Sequence, residues 1–294
     1  MFDARRIDSL DLPELAPYRT LKRSVEHEAQ GIFVAEGDKV VQRLLESRFE
    51  VVSVLLPAER LAEFEPLLRT RPESNIPVHV VARKEILEKL VGFDLFQGVL
   101  AVGRIPSPRS LDELIAACPS PRLFVAVDGL TNAENIGVLV RNSVAFGVQA
   151  LLVGETCASP FLRRAVRNSM GTIFQLPVIV ATNLVRTLGE LRVQGVRCIA
   201  AHPHTDRKFL PEANFSDDCC LVFGSEGKGI SAPVLAACSE AVAIAMPPTV
   251  DSLNVGSAAA VFLYEASRQR VAATPPSLAS SGDALVADPC GQTV

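Results

Sequence analysis

Two stretches of this chain have residue types and spacing that could do chemistry: Gly224-Ser225-Glu226-Gly227-Lys228-Gly229, and the run Met246-Pro247-Pro248-Thr249-Val250-Asp251-Ser252-Leu253-Asn254. The first sets a carboxylate and an ammonium among three glycines, whose backbone can adopt positive φ and let a ligand come close. It is not a phosphate-cradling P-loop, which needs Ser or Thr after Gly-Lys, because Gly229 follows Lys228. Taken alone it reads more readily as an ordinary glycine-rich turn, and the second stretch is what shifts the balance. The second stretch adds a carboxylate, a hydroxyl and an amide. Pro247-Pro248 stops a strand, Ser252 or Asn254 can cap a helix, and Gly256-Ser257-Ala258-Ala259-Ala260 opens that helix with almost no side-chain bulk. Such a start invites close approach by another backbone or a flat ligand.

Each loop follows an apolar run, at residues 219–223 and 241–245, that reads as a buried strand, and each leads into a helical pattern. Two such units in succession put both loops at one end of a parallel sheet, where ligands bind in open α/β folds. Upstream, residues 123–127 read as a strand ending at Asp128-Gly129. Asn132 or Asn135 then caps a helix to Phe146 that carries Arg141 about two turns in. A strand at 150–153, a basic segment with Arg163, Arg164 and Arg167, a helix at 184–194 and a strand at 196–200 complete the alternation. This rhythm predicts an α/β fold with a mainly parallel sheet covered by helices on both faces.

The N-terminal part reads as a separate small α/β unit. It has strands at 31–35, 51–56, 78–81 and 98–102, with helices at 38–48, 59–68 and 84–90. Arg104-Ile105-Pro106-Ser107-Pro108-Arg109-Ser110 is an extended linker. The expected organisation is therefore a first domain at 1–103, a linker at 104–110, a second domain at 111–270 and a disordered tail at 271–294.

With 48% hydrophobic and 21% charged residues the composition is that of a soluble globular protein. A net charge of −4 argues against non-specific coating of nucleic acid, so any RNA contact must come from local basic patches such as Arg163 and Arg167. Arg19, Lys22 and Arg23 are a second such candidate, diluted by Glu26 and Glu28. There is no apolar leader or membrane-length segment, and a cytoplasmic protein is expected. Seven cysteines without a Cys-x-x-Cys pair read as buried thiols, and Cys219 and Cys220 should face opposite sides of their strand. The four histidines show no metal-ligand spacing, so no metal is expected.

The run Leu221 to Ser231, followed by Ile244-Ala245-Met246 and Val250-Asp251-Ser252-Leu253-Asn254-Val255, resembles the last two motifs of the SpoU/TrmH family, the SPOUT-class RNA ribose 2′-O-methyltransferases. The family's first motif is matched by Asn135-Ile136-Gly137 with Arg141 four residues on, and Ser169-Met170-Gly171 and Phe174-Gln175-Leu176-Pro177 match as well. Phe33-Val34-Ala35-Glu36-Gly37 and residues 97–102 are similar to the RNA-binding domain that precedes many SpoU catalytic domains.

The resemblance implies a deep trefoil knot holding S-adenosylmethionine, and a homodimer. It also implies methylation of a ribose 2′-hydroxyl in RNA, ribosomal RNA of the large subunit more than transfer RNA. The alternative is a non-catalytic RNA-binding or ribosome-assembly protein with the same fold. Carried over by position, Arg141, Glu226, Ser252 and Asn254 form the catalytic centre, and Gly224, Ile244 and Leu253 hold the cofactor. Asn135, Arg163 and Arg167 are expected to meet the RNA. A guanidinium stays protonated, so Arg141 is read as gripping a phosphate and polarising the hydroxyl. Three positions depart from the family pattern: Ala245 for Pro, Asp251 for Glu and Gly256 for Ser. None removes an assigned group.

Overall fold

The computed structural model describes residues 2–82, 98–203 and 208–273. The chain begins with β1 (Phe2–Ile7), α1 (Ala16–Arg19), α2 (Ser24–Ala29), β2 (Ile32–Glu36), α3 (Asp38–Glu46), β3 (Val51–Pro57), α4 (Leu61–Arg69), β4 (Ile76–Val81) and β5 (Leu100–Arg104). It continues through α5 (Leu111–Ala117), β6 (Leu123–Val127), α6 (Ala133–Ala145), β7 (Ala150–Val153), α7 (Arg163–Asn168), β8 (Val178–Val180), α8 (Leu184–Val193) and β9 (Arg197–Ala201). The last elements are β10 (Cys219–Phe223), α9 (Ala232–Ala237), β11 (Glu240–Val242) and α10 (Val255–Ala273). The helix expected at 84–90, His204 and the tail beyond Ala273 lie outside the described residues; residues 271–273 belong to α10.

These elements form two compact units. The first holds the described residues up to Ser107 together with Ser159–Gln175; the second holds Pro108–Ala158 and the described residues from Leu176 onward.

In the first unit five strands lie in the order β1-β4-β3-β5-β2, with β1, β4 and β3 mutually parallel and β5 antiparallel to both β3 and β2. Alternation along β2 sends Ile32 and Val34 into a cluster with Leu15, Tyr18 and Leu55, and sends Phe33 to the other face. There the Phe33 ring stacks 5.4 Å from Phe174 and lies 5.8 Å from Phe161, and Phe49 sits 5.3 Å from Phe174. Two of these four rings come from the segment 159–175, so that face of the sheet is filled by residues far along the chain. Aromatic pairs at such spacings add stabilisation beyond their buried area.

The second unit is a six-stranded sheet in the order β11-β9-β10-β6-β7-β8, every neighbouring pair parallel. One face buries Leu114 and Ile115 of α5, Leu184, Leu188 and Leu191 of α8 and Val234 of α9 against Phe124, Leu152, Cys198 and Cys220. On the other face Phe262 of α10 meets Phe223 edge-on at 5.8 Å. Cys219 and Cys220 do point to opposite faces: Cys220 joins the first cluster, whereas Cys219 accepts a hydrogen bond from Arg270 of α10 at 3.5 Å. Burial raises the pKa of the Cys219 thiol, and the side-chain hydrogen bond with Cys198, with burial second, raises that of Cys220. Among the described residues no helix is long and apolar enough to cross a membrane.

Candidate active site

Strand β10 ends at Phe223, and the chain turns at once. Ser225 and Gly229 exchange two backbone hydrogen bonds, of 3.1 and 2.9 Å, that close the glycine loop on itself. The closure brings backbone onto backbone. A Cβ at Gly224 would stand 2.1 Å from the carbonyl carbon of Gly229 and 2.2 Å from the nitrogen of Ile230, so no other residue fits there. Beyond the loop the Ser231 amide donates to Asp128 Oδ2 at 2.7 Å, which ties the exit of the loop to the end of β6. Asp128 is a positioning residue the sequence reading passed over; its signal is an acidic side chain ending a buried strand just before a glycine.

This loop and the 246–254 stretch enclose a cavity of about 310 Å³. Gly224, Ile244 and Leu253, expected at the cofactor, all line it, and so do Glu226 and Ser252. Val242, Met246, Val255, Ala258 and Phe262 make the remaining wall largely apolar, with loop backbone and a few polar side chains at the rim. The size, the apolar lining and the sparse polar groups fit a small organic ligand with a flat ring and a polar tail. Ala201, His202 and Pro203 also line the cavity. Histidine spacing does not announce His202; its place at the end of β9, the strand beside β10, is the signal that puts it here.

The three motifs meet at Asn254. Its Nδ2 donates to Glu226 Oε1 at 2.5 Å and to Asn135 Oδ1 at 3.1 Å, and its Oδ1 accepts from the Gly256 amide at 2.9 Å. One side chain thus caps α10 and joins the glycine loop to α6. The capping alternatives resolve in the same way at both helices. Asn254, not Ser252, caps α10, while Asn132 caps α6 by accepting from Glu134 and Asn135 amides, which leaves the Asn135 side chain for Asn254.

The start of α10 lies directly on α6. A Cβ at Gly256 would come 2.6 Å from Val138 Cγ1, and Asn142 Nδ2 donates to the Gly256 carbonyl at 2.8 Å. The close approach that the small residues allow is therefore made, at Gly256, within the chain. Arg141, three residues beyond Val138 on α6, is exposed and does not line the cavity. Among the described residues it has no hydrogen-bond or ion-pair partner. An exposed guanidinium without a partner, on the helix whose Asn135 meets Asn254, is free to take an anion.

Arg163 and Arg167 are elsewhere. Both lie on α7 in the first unit, where each forms an ion pair with Glu36 at the end of β2. Arg163 is largely buried, with side-chain exposure of 16%, and Arg167 is open at 60%.

Residues 122–264 match the sequence pattern of the SpoU rRNA methylase family. An uncharacterized tRNA/rRNA methyltransferase of Mycobacterium tuberculosis is 34% identical over 274 residues, covering 90% of this chain and 92% of that protein. A solved RNA 2′-O ribose methyltransferase superposes with a TM-score of 0.74 at 29% identity, over 91% of this chain and all of the other. The fold is also that of the SpoU methyltransferase AviRb from Streptomyces viridochromogenes, solved with AdoMet, at a TM-score of 0.76 and 24% identity over 88% of this chain and 98% of that one. The similarity to the mycobacterial protein runs almost end to end and the family match spans all three motifs that converge on Asn254, so the chain belongs to the SpoU rRNA methylase family.

Proposed function

We propose that this protein transfers the methyl group of S-adenosylmethionine to a ribose 2′-hydroxyl in RNA, with large-subunit ribosomal RNA as its substrate. S-adenosylmethionine is the cofactor of SpoU methyltransferases, and the relative that is solved with it shares this fold. The observation that carries the reading is the joining of Asn135, Glu226 and the N-terminus of α10 by the single amide of Asn254, beside the cavity lined by Gly224, Ile244 and Leu253.

In this reading Gly224, Ile244 and Leu253 hold the cofactor through backbone groups and apolar contact. The cofactor supplies a methyl already activated on a sulfonium. The residues of the chain then have to orient a weak nucleophile and let its proton leave. Arg141 grips the phosphate beside the target ribose and polarises the 2′-oxygen; being always charged, it is not the base. Glu226 and Ser252 fix the ribose and the loop, and Asn254 holds Glu226 at its angle. With S-adenosylmethionine bound, the 2′-oxygen would take the methyl as the methyl–sulfur bond breaks and S-adenosylhomocysteine leaves, while the hydroxyl proton, made acidic, would pass to water.

The strand order supports a trefoil knot. β10, late in the chain, lies in the middle of the sheet between β9 and β6, and α10 returns to pack on α6, as threading of the C-terminal part requires. We take the first unit to be the RNA-binding domain of the family, the protein to act in the cytoplasm, and the functional form to be a homodimer. Val138, Val261 and Tyr264, apolar and exposed near the α6–α10 contact, support that association. A monomer mass by light scattering at micromolar concentration would remove the dimer.

The test of the activity is transfer of radiolabelled methyl from S-adenosylmethionine to unmodified ribosomal RNA, transfer RNA and ribosomal subunits. Alkali-resistant label in large-subunit RNA, abolished by Arg141→Ala while cofactor binding stays within about twofold, is the expected result. Label in transfer RNA alone would shift the substrate. RNA binding with no label on any of these substrates would favour a non-catalytic assembly protein.

A further inference from the structure

Glu36 is the one ionisable member of the Phe33-Val34-Ala35-Glu36-Gly37 motif, and the site above does not use it. It ends β2 almost fully buried, with side-chain exposure of 7%, and a carboxylate in that position needs partners. It has two. Oε2 accepts from Arg163 Nη1, and Oε1 accepts from Arg167 Nη1 at 2.9 Å. The two arginines stand four residues apart on α7 and so share one face of that helix. At the other end of the same segment Arg43 Nη1 donates to the Met170 carbonyl at 2.6 Å, and Phe161 and Phe174 are packed against Phe33 and Phe49, so α7 is held on both sides of the ion pair.

The two guanidinium groups are in different situations. Arg163 is largely buried, and its Nε–H is enclosed without a partner. It serves as the countercharge that lets Glu36 be buried. Arg167 is mostly in solvent, and among the described residues its side chain has only the Glu36 contact. One carboxylate facing two guanidinium groups leaves one positive charge over, and that charge sits on the exposed member. His27, buried on α2 close enough to feel Arg163, is held below its usual pKa by burial and adds no second charge at neutral pH. A guanidinium has five N–H donors in a rigid fork, so one Nη can stay on Glu36 while the others address an anion.

We infer that Glu36 is a positioning residue for RNA: it fixes Arg167 by one arm so that the remaining donors of the fork take a backbone phosphate, while Arg163 neutralises the carboxylate. The inference rests on the RNA reading proposed above and divides between two roles the pair of arginines that sequence alone treats alike.

The test is binding of in vitro transcribed large-subunit ribosomal RNA to the full chain at salt concentrations between about 50 and 200 mM, where each phosphate contact contributes about 0.7–0.9 to the slope of log affinity against log salt. Arg167→Ala should lower the slope by that amount. Glu36→Gln should lower it equally, and the double variant should bind no more weakly than Arg167→Ala alone; S-adenosylmethionine affinity should be unchanged throughout. Arg167→Lys, which leaves Glu36 intact and has one nitrogen in place of a fork, should also lose the contact, and it keeps the test decisive if Glu36→Gln does not fold. Full slope and affinity in Arg167→Lys would overturn the positioning role, because a bare charge would then suffice. So would a Glu36→Gln loss of equal size in the wild-type and Arg167→Ala backgrounds, which is the mark of a purely structural residue. Wild-type protein that shows no salt-dependent RNA binding would sink the RNA reading and this inference together, whereas an unchanged slope in Arg167→Ala beside a steep wild-type slope would sink this inference alone.

Discussion

Asn254 Nδ2 lies 2.5 Å from Glu226 Oε1, so an amide of one loop holds the carboxylate of the other. The same side chain accepts the Gly256 amide. Two substitutions separate these duties. Asn254→Asp keeps a good capping oxygen but sets a second carboxylate against Glu226, so stability should hold while methyl transfer falls by roughly 100-fold through misplacement of the site. Asn254→Ala removes the cap as well and should lower stability by about 1 kcal/mol. Paired denaturation curves and single-turnover rates check both. An Asp variant with wild-type rate would show that the amide–carboxylate contact is incidental.

At the start of α10 there is no room for a side chain. Gly256→Ala drives a Cβ to 2.6 Å from Val138 Cγ1 and should lower stability by about 1–2 kcal/mol, even though alanine is the better helix former. Val138→Ala in the same chain should restore most of the loss. Urea titrations of the two single variants and the double measure this, and strict additivity would contradict the contact.

Gly224→Ala meets backbone instead of a side chain, and the loop has nowhere to shift without opening the Ser225–Gly229 pair. The expected outcome is a stability loss of about 1–3 kcal/mol. Calorimetric titration with S-adenosylmethionine should show affinity reduced by roughly tenfold or more, since one 1.4 kcal/mol distortion of the pocket is already tenfold.

Acid should loosen the first unit before it affects the carboxylates. Burial lowers the pKa of His27, Glu26 raises it in part and Arg163 lowers it further; burial also lowers that of His79. Both rings therefore prefer to be neutral in the folded chain, while the unfolded chain takes up the proton at about pH 6.5. Their contribution is complete above that pH and is lost as the pH falls below it. The thermal midpoint should drop between about pH 7.5 and 5.5, and the drop should shrink in His27→Gln and His79→Gln. A midpoint equally pH-dependent in the double variant would assign the effect to other groups.

Much of the second unit could be read from sequence. The strands at 123–127, 150–153 and 219–223 coincide with β6, β7 and β10, because parallel strands buried on both faces appear as unbroken apolar runs. The same rule misled at 241–245, where β11 ends at Val242. Ala243 only bridges to Phe209, and Ile244 is apolar because it lines the cavity. β1 was missed for the opposite reason. Phe2-Asp3-Ala4-Arg5-Arg6-Ile7 is an edge strand with both arginines exposed, and its pairing with β4 leaves no alternating pattern to find. The cavity-lining members of the site followed from the motifs. The ion pairs of Arg163 and Arg167 did not, since nothing local announces that Glu36, more than 120 residues earlier, is their partner.

The contribution of segment 159–175 to the first unit also sets an order of events during synthesis. A ribosome that has released residues up to Ser107 has not yet supplied Phe161 or Phe174 for the aromatic face, nor the arginines that neutralise Glu36. Strands β6 and β7 emerge before those residues do. The first unit therefore cannot finish folding when its own first stretch is complete, and until Gln175 has cleared the exit tunnel it shows an apolar patch and a carboxylate without its countercharges to whatever chaperone stands there.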